Sequence, residues 1–320
     1  MALPPQDSTH LSDQVSEEMI EQFSGAVDSQ FAKDSIMRRV IPVTPVRNTD
    51  TTIVRRIGRT TLSSITPGVR PEATSVNQGR ASVTVDTPII VRNNVSMLNE
   101  FQADFNIRAE LGRDQGKELG KFFDEAFLIQ AMKASGLPAP PELNGAIGAG
   151  KQTTLAAAGD ELDPDLLYNK IARVIVEMQE EDIDTQEIVI FVRPTQHEVL
   201  LNNDKLLSRE FSADNGDYAL GKVMTLMGSP IVPTARIPQA AITGHRLSNA
   251  TNGNSYDLTA DQANVAAVLM HPQSLLAGES IPLQSDVFFD RVEKQYHVDS
   301  FMAFGVSHRR PDCTGVVLKA

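Results

Sequence analysis

The sequence predicts an α+β fold with mixed sheets and long protrusions. Three observations lead to this prediction. Residues 107–135 form one continuous helical pattern, about 44 Å long at 1.5 Å per residue. Two segments rich in Thr, Val and Ile flank a run of turn-forming residues, as in a long β-hairpin. Short apolar segments then alternate with loops rich in Gly, Pro and Asn, as expected of a mixed domain.

The composition is that of a folded protein without a disulfide framework. Of the 320 residues, 41% are hydrophobic and 22% are charged, which argues against wholesale disorder. The only cysteine is Cys313, so no disulfide can form within the subunit. The first residues show neither the basic nor the apolar segment of a signal peptide, and the longest apolar runs are too short to span a bilayer. We therefore expect a soluble protein.

Charge is distributed unevenly along the chain. Residues 1–35 carry a net charge of −6, residues 36–92 carry +6, and residues 93–320 carry −12. A basic arm on an acidic body suggests that the arm lies on an acidic surface, that of another copy being one candidate. The alternative is a solvated, arginine-rich hairpin, and composition leaves the two open. The acidic body argues against nucleic acid as a tight ligand, because phosphate binding needs a basic face.

The N-terminal region predicts a helix followed by a protruding hairpin. Residues 16–33 carry apolar side chains at helical spacing, which indicates an amphipathic helix. Residues 38–45 are mixed β-branched and basic. Residues 51–62 and 81–91 are the predicted hairpin strands, and the segment between them is full of turn-formers. An isolated hairpin is marginal in water, so we expect this one to need a partner surface.

The rest of the chain predicts helices, strands and two long loops. Residues 96–105 predict a short helix with Ser96 as its N-cap, and Asn106 can cap the long helix. Further helices are predicted at residues 162–181 and 195–201. The predicted strands are residues 187–192, two short strands within 223–233, 265–270, strands within 287–306, and 315–318. The predicted loops are residues 138–159 and 243–264.

Three glycines four residues apart, Gly112, Gly116 and Gly120, lie on one side of the long helix. Each glycine inside a helix costs about 1 kcal/mol relative to alanine, so three of them need a reason. Close approach of a neighbouring backbone is one reason, and a helix that must bend is another. Both remain open at this point.

Motifs of enzymatic chemistry are weak. Residues 145–151 satisfy G-x-x-x-x-G-K, but Gln152 stands where a phosphate loop needs Ser or Thr, and no strand pattern precedes the motif. His297, Asp299 and His308 share the last predicted strands and could meet, although dispersed histidines are usually structural. Asp312 begins a D-C-T-G segment with no second copy, whereas aspartic-protease chemistry needs two carboxylates. We expect no catalytic site, no metal site and no cofactor.

Five segments in order resemble one protein family. They are IEQFSGAVDSQFAK, GRTTLSSITPG, IRAELGRDQGKELGKFFDEAFL, DLLYNKIARVIVEMQEEDIDTQEIVIFVRPTQHEVLL and RPDCTGVV. The first resembles the opening helix of the major capsid protein of short-tailed, autographivirus-type bacteriophages. The others resemble, in turn, its extended loop, its spine helix, the helix–strand–helix that follows, and its C-terminal signature. The implied fold is the tailed-phage capsid fold of the Hong Kong ninety-seven type.

The resemblance implies the function and the domains of the chain. Many copies would form the hexamers and pentamers of an icosahedral virion shell, assembled in the host cytoplasm around packaged double-stranded DNA. The implied partners are further copies of the chain, a scaffolding protein, a portal protein and a decoration protein, without specific DNA binding and without a membrane. The implied domains are an N-terminal arm (1–50), an extended loop (51–93), a peripheral domain with the spine helix (94–186), an axial domain (187–285) and peripheral return strands (286–320).

Two residue-level hypotheses accompany this resemblance. Gly112, Gly116 and Gly120 would let the spine helix bend or pack closely in one of two assembly states, and Arg55, Arg56 and Arg59 would seat the hairpin on an acidic neighbour.

Two other functions are alternatives. An encapsulin-type nanocompartment shares the fold but encloses enzymes, and a nucleotide-binding enzyme would use residues 145–151.

Overall fold

A computed structural model describes residues 17–320, except for 69, 71, 72, 74, 103–106, 204, 205, 207–215, 218–221 and 224. Contacts divide the chain into two compact units. The first comprises Met1–Ile36, Asp86–Phe123 and Ser280–Phe304. The second comprises Met37–Val85, Asp124–Glu279 and Gly305–Ala320. The predicted cap Asn106 and the end of the predicted helix 96–105 lie outside the described residues.

The secondary structure is mixed, as the sequence predicts. The helices are α1 Glu17–Asp34, α2 Met37–Val40, α3 Met97–Gln102, α4 Ile107–Ser135, α5 Pro164–Gln179, α6 Pro194–Leu201 and α7 Ala260–Ala263. The strands are β1 Val43–Pro45, β2 Thr51–Ile57, β3 Gln78–Thr84, β4 Pro88–Ser96, β5 Lys151–Thr154, β6 Val189–Val192, β7 Gly216–Asp217, β8 Lys222–Val223, β9 Thr225–Leu226, β10 Ser229–Pro233, β11 Val265–Met270, β12 Leu275–Asp290, β13 Gln295–His308 and β14 Thr314–Leu318. No helix among the described residues has the length and apolar character to cross a membrane.

The first unit packs helix against sheet. Strand β4 pairs antiparallel with β13, from Ser96 opposite Gln295 to Pro88 opposite Ala303. Phe23 and Val27 of α1 form a small buried core with Val287 and Val298 of the strands. Because these side chains leave water together, the amphipathic helix gains its stability from tertiary packing rather than from intrinsic propensity.

A buried amide of α4 satisfies backbone and hydroxyl groups of the same unit. The Nε2 of Gln115 donates to the carbonyl of Val298 at 2.9 Å, and Ser300 Oγ donates to Gln115 Oε1 at 2.7 Å. The amide also donates to Asn93 Oδ1 at 2.7 Å. A buried amide is tolerated here because its donors and acceptor all have partners.

The second unit contains a six-stranded mixed sheet in the order β5-β14-β11-β6-β10-β9. Its central strand β11 is buried along its whole length, which matches its continuous apolar sequence. Helix α5 begins at an Asp163 cap, whose carboxylate accepts from two backbone amides. It covers the sheet with Leu167, Ile171, Val174, Ile175 and Met178, all buried. The core of this unit lies between that helix and the sheet.

Strand bounds differ from the prediction in several places, and the short strands β7 and β8 were not predicted. The predicted strand 81–91 is divided between β3 and β4, because residues 85–87 leave the ladder before Pro88 begins the next strand. Strands β1 and β5 were missed, and β5 lies inside the predicted loop 138–159, where it pairs parallel with β14. The predicted strand beginning near residue 287 extends back to Leu275. The predicted loop 243–264 also contains α7, with a Thr259–Gln262 capping box.

One buried carboxylate joins three segments of the second unit. Asp124 of α4 is fully buried, and its Oδ1 accepts the amide of Met37 at 3.1 Å. Its Oδ2 accepts from Nη1 of Arg236, in the loop after β10. Removing the carboxylate leaves the largely buried arginine and the amide without this partner, and uncompensated buried groups are costly.

We expect Asp124→Ala to lower the free energy of unfolding by roughly 3–5 kcal/mol, the usual cost of breaking a buried ion pair. Chemical denaturation of dissociated subunits measures this. Asp114→Ala is the matched control, since Asp114 lies exposed on the same helix. Equal unfolding midpoints for the two variants would contradict the role assigned to Asp124.

Candidate functional site

The hairpin carries one face whose side chains on β2 are largely exposed in the single chain. Strands β2 and β3 pair antiparallel from Thr51 opposite Thr84 to Ile57 opposite Gln78. Side chains alternate between the two faces of a strand, and Ile53, Arg55 and Ile57 are exposed while Val54 is partly buried. Ile57 is 67% exposed. The outer face of β2 is therefore both apolar and basic.

The base of the hairpin is attached to the second unit by hydrogen bonds. The amide of Gly58 donates to the carbonyl of Asn77 at 2.8 Å, and the amide of Arg59 donates to the carbonyl of Leu143 at 3.3 Å. Nη2 of Arg56 donates to the carbonyl of His308 at 3.2 Å. Burial lowers the pKa of Arg56, with the nearby Glu142 acting in the opposite direction. Arg56 therefore makes this hydrogen bond within its own chain.

The three arginines predicted to act together are thus separated by the structure. Arg55 and Arg59 are exposed, whereas Arg56 is half-buried against its own chain. The structure adds Arg80, which the sequence prediction missed. Arg80 is exposed on β3 directly opposite Arg55. Like charges at opposed positions of a hairpin are destabilising, so this face of the free subunit has two unfavourably placed cations.

The glycines of α4 lie against α1. A Cβ added at Gly116 would stand 2.6 Å from the carbonyl oxygen of Val27, and one at Gly112 would stand 2.9 Å from the Phe23 ring. At Gly120 the nearest atom would be Cβ of Asp34 at 3.4 Å, an ordinary contact. The two helices therefore approach most closely at Gly116.

The phosphate-loop motif does not form a phosphate loop. Such a loop joins a strand to the N-terminus of a helix, whereas Lys151 begins strand β5. The Nζ of Lys151 is paired with the carboxylate of Glu181. The charged residues that line the neighbouring cavity, of about 550 Å³, are four acids and two bases: Glu180, Glu181, Asp182, Asp312, Arg59 and Arg310. The acids outnumber the bases. Carboxylates repel a phosphate, so the structure gives no support to the nucleotide-binding alternative.

The residues suspected of acid–base chemistry serve other contacts. Asp299 pairs with Arg92 through two hydrogen bonds of 2.8 and 2.5 Å. Asp312 is buried and accepts two hydrogen bonds from Arg310, at 3.2 and 2.6 Å. Burial raises the pKa of the adjacent Cys313 thiol to about 12, so it is not a thiolate nucleophile at neutral pH. The predicted trio of His297, Asp299 and His308 forms no shared site among these described contacts.

Comparisons with solved structures give the class of protein. No family model matches the chain, and no curated protein matches it. The mature capsid of bacteriophage PhiM1 is 28% identical, covers 89% of this chain and 87% of its own, and has a TM-score of 0.77. The capsid of cyanophage P-SCSP1u is 16% identical, covers 89% and 88%, and has a TM-score of 0.79. A virus-like particle from Pyrococcus furiosus is 13% identical, covers 94% and 99%, and has a TM-score of 0.57.

These likenesses define the fold as that of tailed-phage capsid proteins, of the Hong Kong ninety-seven type. The tailed-phage capsid fold predicted from the five ordered segments is confirmed, and the structures similar to this chain include phage capsids. The similar structures are those of structural proteins rather than enzymes.

We expect Gly116→Ala and Gly120→Ala to have opposite effects. The first places a methyl group against a backbone carbonyl that cannot move alone, and such overpacking costs about 1–3 kcal/mol. The second meets no close contact and gains up to about 1 kcal/mol of helix propensity. Thermal and chemical unfolding of the two variants measures the difference. Equal stability of both variants would show that close packing does not constrain position 116.

We also expect stability to fall in mild acid. Burial lowers the pKa of His271 below its ordinary value of 6.5, although Glu187 acts to raise it. The Nδ1 of His271 accepts the amide of Gln273, and its Nε2 lies 3.1 Å from Glu187 Oε2. The unfolded chain takes up the proton more readily, so the stabilisation is complete above about pH 6.5 and is lost as the pH falls through the folded-state pKa.

Denaturation midpoints of the wild type and of His271→Gln at pH 7.5, 6.5 and 5.5 test this expectation. The wild type should lose more stability on acidification than the variant. Identical pH slopes would show that His271 makes no contribution. The other histidines with burial-lowered pKa, His197, His245 and His308, remain in both proteins and give the common background.

Proposed function

We propose that the chain is the building subunit of a bacteriophage head of the short-tailed, autographivirus type. Copies would form hexamers and pentamers of an icosahedral shell that encloses double-stranded DNA. The observation that carries this proposal is the likeness to the PhiM1 mature capsid, at 28% identity over 89% of the chain. The order of the five sequence segments supports the same family.

The hairpin is the proposed contact with a neighbouring copy. Its outer face presents Ile53 and Ile57, and its tip presents Leu62 and Ile65, all strongly exposed in the single chain. Covering such apolar groups is favourable, by roughly 25 cal/mol per Å² of area removed from water. The opposed Arg55 and Arg80 would be relieved by carboxylates on the neighbour, and the chain outside residues 36–92 is strongly acidic.

Within that proposal, Arg55 and Arg59 supply the contacts between subunits and Arg56 holds the hairpin base. Of the three glycines on this side of the spine helix, Gly112 and Gly116 serve close packing of α1, whereas Gly120 makes only an ordinary contact with it. The distances at Gly112 and Gly116 support close packing, and no distance bears on bending. A shell subunit needs such packing because its N-terminal helix has only a small core of its own.

The assembly domains are proposed with the bounds given by the family resemblance. The arm is residues 1–50, the extended loop 51–93, the peripheral domain 94–186 with return strands 286–320, and the axial domain 187–285. These are regions of assembly function, whereas the two compact units group residues by contact, so the bounds of the two divisions differ.

The proposed partners follow from the same function. A scaffolding protein would direct assembly in the host cytoplasm, a portal protein would occupy one vertex, and a decoration protein would bind the finished shell. The genome would be enclosed without specific binding, because the net charge of −12 repels phosphates.

A second function, the shell of a protein nanocompartment, is favoured by one observation. The Pyrococcus furiosus virus-like particle has the same fold at a TM-score of 0.57, with 13% identity. At that identity the likeness shows the fold alone. Neighbouring genes separate the two functions, since portal, scaffold and terminase genes accompany a phage head and an enzyme cargo gene accompanies a nanocompartment.

Electron microscopy of the chain, expressed with the scaffold gene from its own genome, tests the proposal. We expect closed icosahedral particles of uniform size. A protein that stays monomeric at high concentration with its scaffold present would refute a shell function. Closed particles that form without a scaffold and retain an enzyme would instead favour the nanocompartment.

In the same assay, we expect Arg55→Glu with Arg59→Glu to abolish particle formation while leaving the subunit folded. The reversed charges would face the acidic surface of the neighbour and repel it. The matched control is Lys117→Glu with Arg246→Glu, which makes the same charge change at two exposed positions outside the hairpin. Unchanged assembly of the hairpin variant, or equal loss in both variants, would remove the specific role of Arg55 and Arg59.

A further inference from the structure

The turn between β12 and β13 gathers three side chains of metal-binding type. Asp290 ends β12, Glu293 lies in the turn of residues 291–294, and His297 is the third residue of β13. One ligand atom from each side chain lies within 4.8 Å of the other two. Among the described residues, no other group of three or more His, Cys, Asp and Glu side chains meets this geometry.

The turn holds the first carboxylate in place. Asp290 Oδ1 accepts the amides of Val292 and Glu293, at 2.7 and 3.2 Å. These backbone hydrogen bonds lower the pKa of Asp290. They occupy Oδ1 and leave Oδ2 directed toward His297, whose Nε2 lies 3.9 Å away. That separation is too long for a hydrogen bond.

The imidazole of His297 is oriented by stacking on a phenyl ring, and one of its nitrogens makes no hydrogen bond within the described residues. His297 stacks on Phe288, with ring centroids 5.0 Å apart and planes at 25°. Arg92 in turn covers the Phe288 ring at 5.5 Å. The Nδ1 of His297 is buried and has no hydrogen-bond partner among the described residues. Since Nε2 also has no partner within hydrogen-bond distance at Asp290, a lone pair is available for a ligand.

A chain of amides positions the second carboxylate. Asn94 Nδ2 donates to Gln295 Oε1 at 2.9 Å, and Gln295 Nε2 donates to Glu293 Oε2. Strand pairing places Asn94 directly opposite His297. Metal sites commonly have such outer partners, which orient the groups that bind the ion. The two carboxylates and the imidazole are therefore each held by contacts within this turn and its strands.

We propose that Asp290, Glu293 and His297 form a binding site for a first-row divalent cation of the Zn²⁺ class. Carboxylate oxygens and an imidazole nitrogen are ligands that such an ion takes in proteins. The imidazole nitrogen selects against Ca²⁺ and Mg²⁺, which prefer oxygen ligands. Three protein ligands leave a fourth, open position on a tetrahedral ion, which water would fill at this exposed turn. The ion would join the end of β12, the turn and the start of β13.

Titration of the purified full-length protein with ZnCl₂, after treatment with a chelator, tests the site by calorimetry. We expect one saturable site per chain. Glu293→Gln and His297→Gln should each weaken binding at least tenfold, and Gln295→Ala should weaken it about 10–100-fold through the outer partner. Glu198→Gln, at an exposed position of α6, is the matched control and should bind as the wild type does.

Two further measurements distinguish a variant that has lost the metal site from a variant that has lost its folded structure. Zn²⁺ should raise the thermal midpoint of the wild type and not that of Glu293→Gln, because binding to the folded state stabilises it. Co²⁺ should give visible d–d absorption with the wild type that is lost in His297→Gln. Absence of saturable binding, or equal affinity in the wild type and both ligand variants, would overturn the proposal. These measurements need no assembled particle, so their result is independent of the shell function.

Discussion

The close approach of α1 to the spine helix is the constraint on which the first unit depends. Phe23 and Val27 of α1 pack against Val287 and Val298 of the strands, and Phe31 of α1 lies edge-on to Phe123 of α4. Gly112 and Gly116 leave the space that α1 occupies against α4. Each glycine destabilises the helix by about 1 kcal/mol, and the packing between the two helices offsets this loss. Any side chain at position 116 would contact the backbone of α1 first.

Some side chains in the interior of the units have partners within the chain, whereas side chains on the outer face of the hairpin are exposed to solvent. Two buried polar side chains, Gln115 in the first unit and Asp124 in the second, have hydrogen-bond partners within the chain itself. On the outer face of the hairpin, apolar side chains meet solvent and Arg55 stands opposite Arg80. Such a face adds no stability to a folded monomer. A subunit that buries it against another copy gains both apolar contact and charge neutralisation.

Elements with strong periodicity or continuous apolar character were predictable. The spine helix has the predicted bounds at both ends, and β11 matches the predicted strand 265–270. Strands without an apolar or alternating pattern of their own were not predictable. The sequence of β5 is K-Q-T-T, and it forms a strand because its backbone pairs with Gly315–Leu318 of β14. Strand β1 has three residues and depends in the same way on β12. Their pairing is a property of the sheet rather than of the segments.

The sequence by itself determined the mixed fold class, the long glycine-bearing helix, the hairpin and the family resemblance. These features depend on hydrophobic periodicity, on turn-forming residues and on the order of segments along the chain, all of which can be read without knowing which residues meet in space. Tertiary structure alone decided which residues meet. It turned Arg56 inward and placed Arg80 beside Arg55, because strand register and alternation assign each side chain to a face. It also brought His297 to Asp290, seven residues away, through a turn that reverses the chain. Distances of this kind arise from backbone pairing across the sheet, and no single segment carries that information.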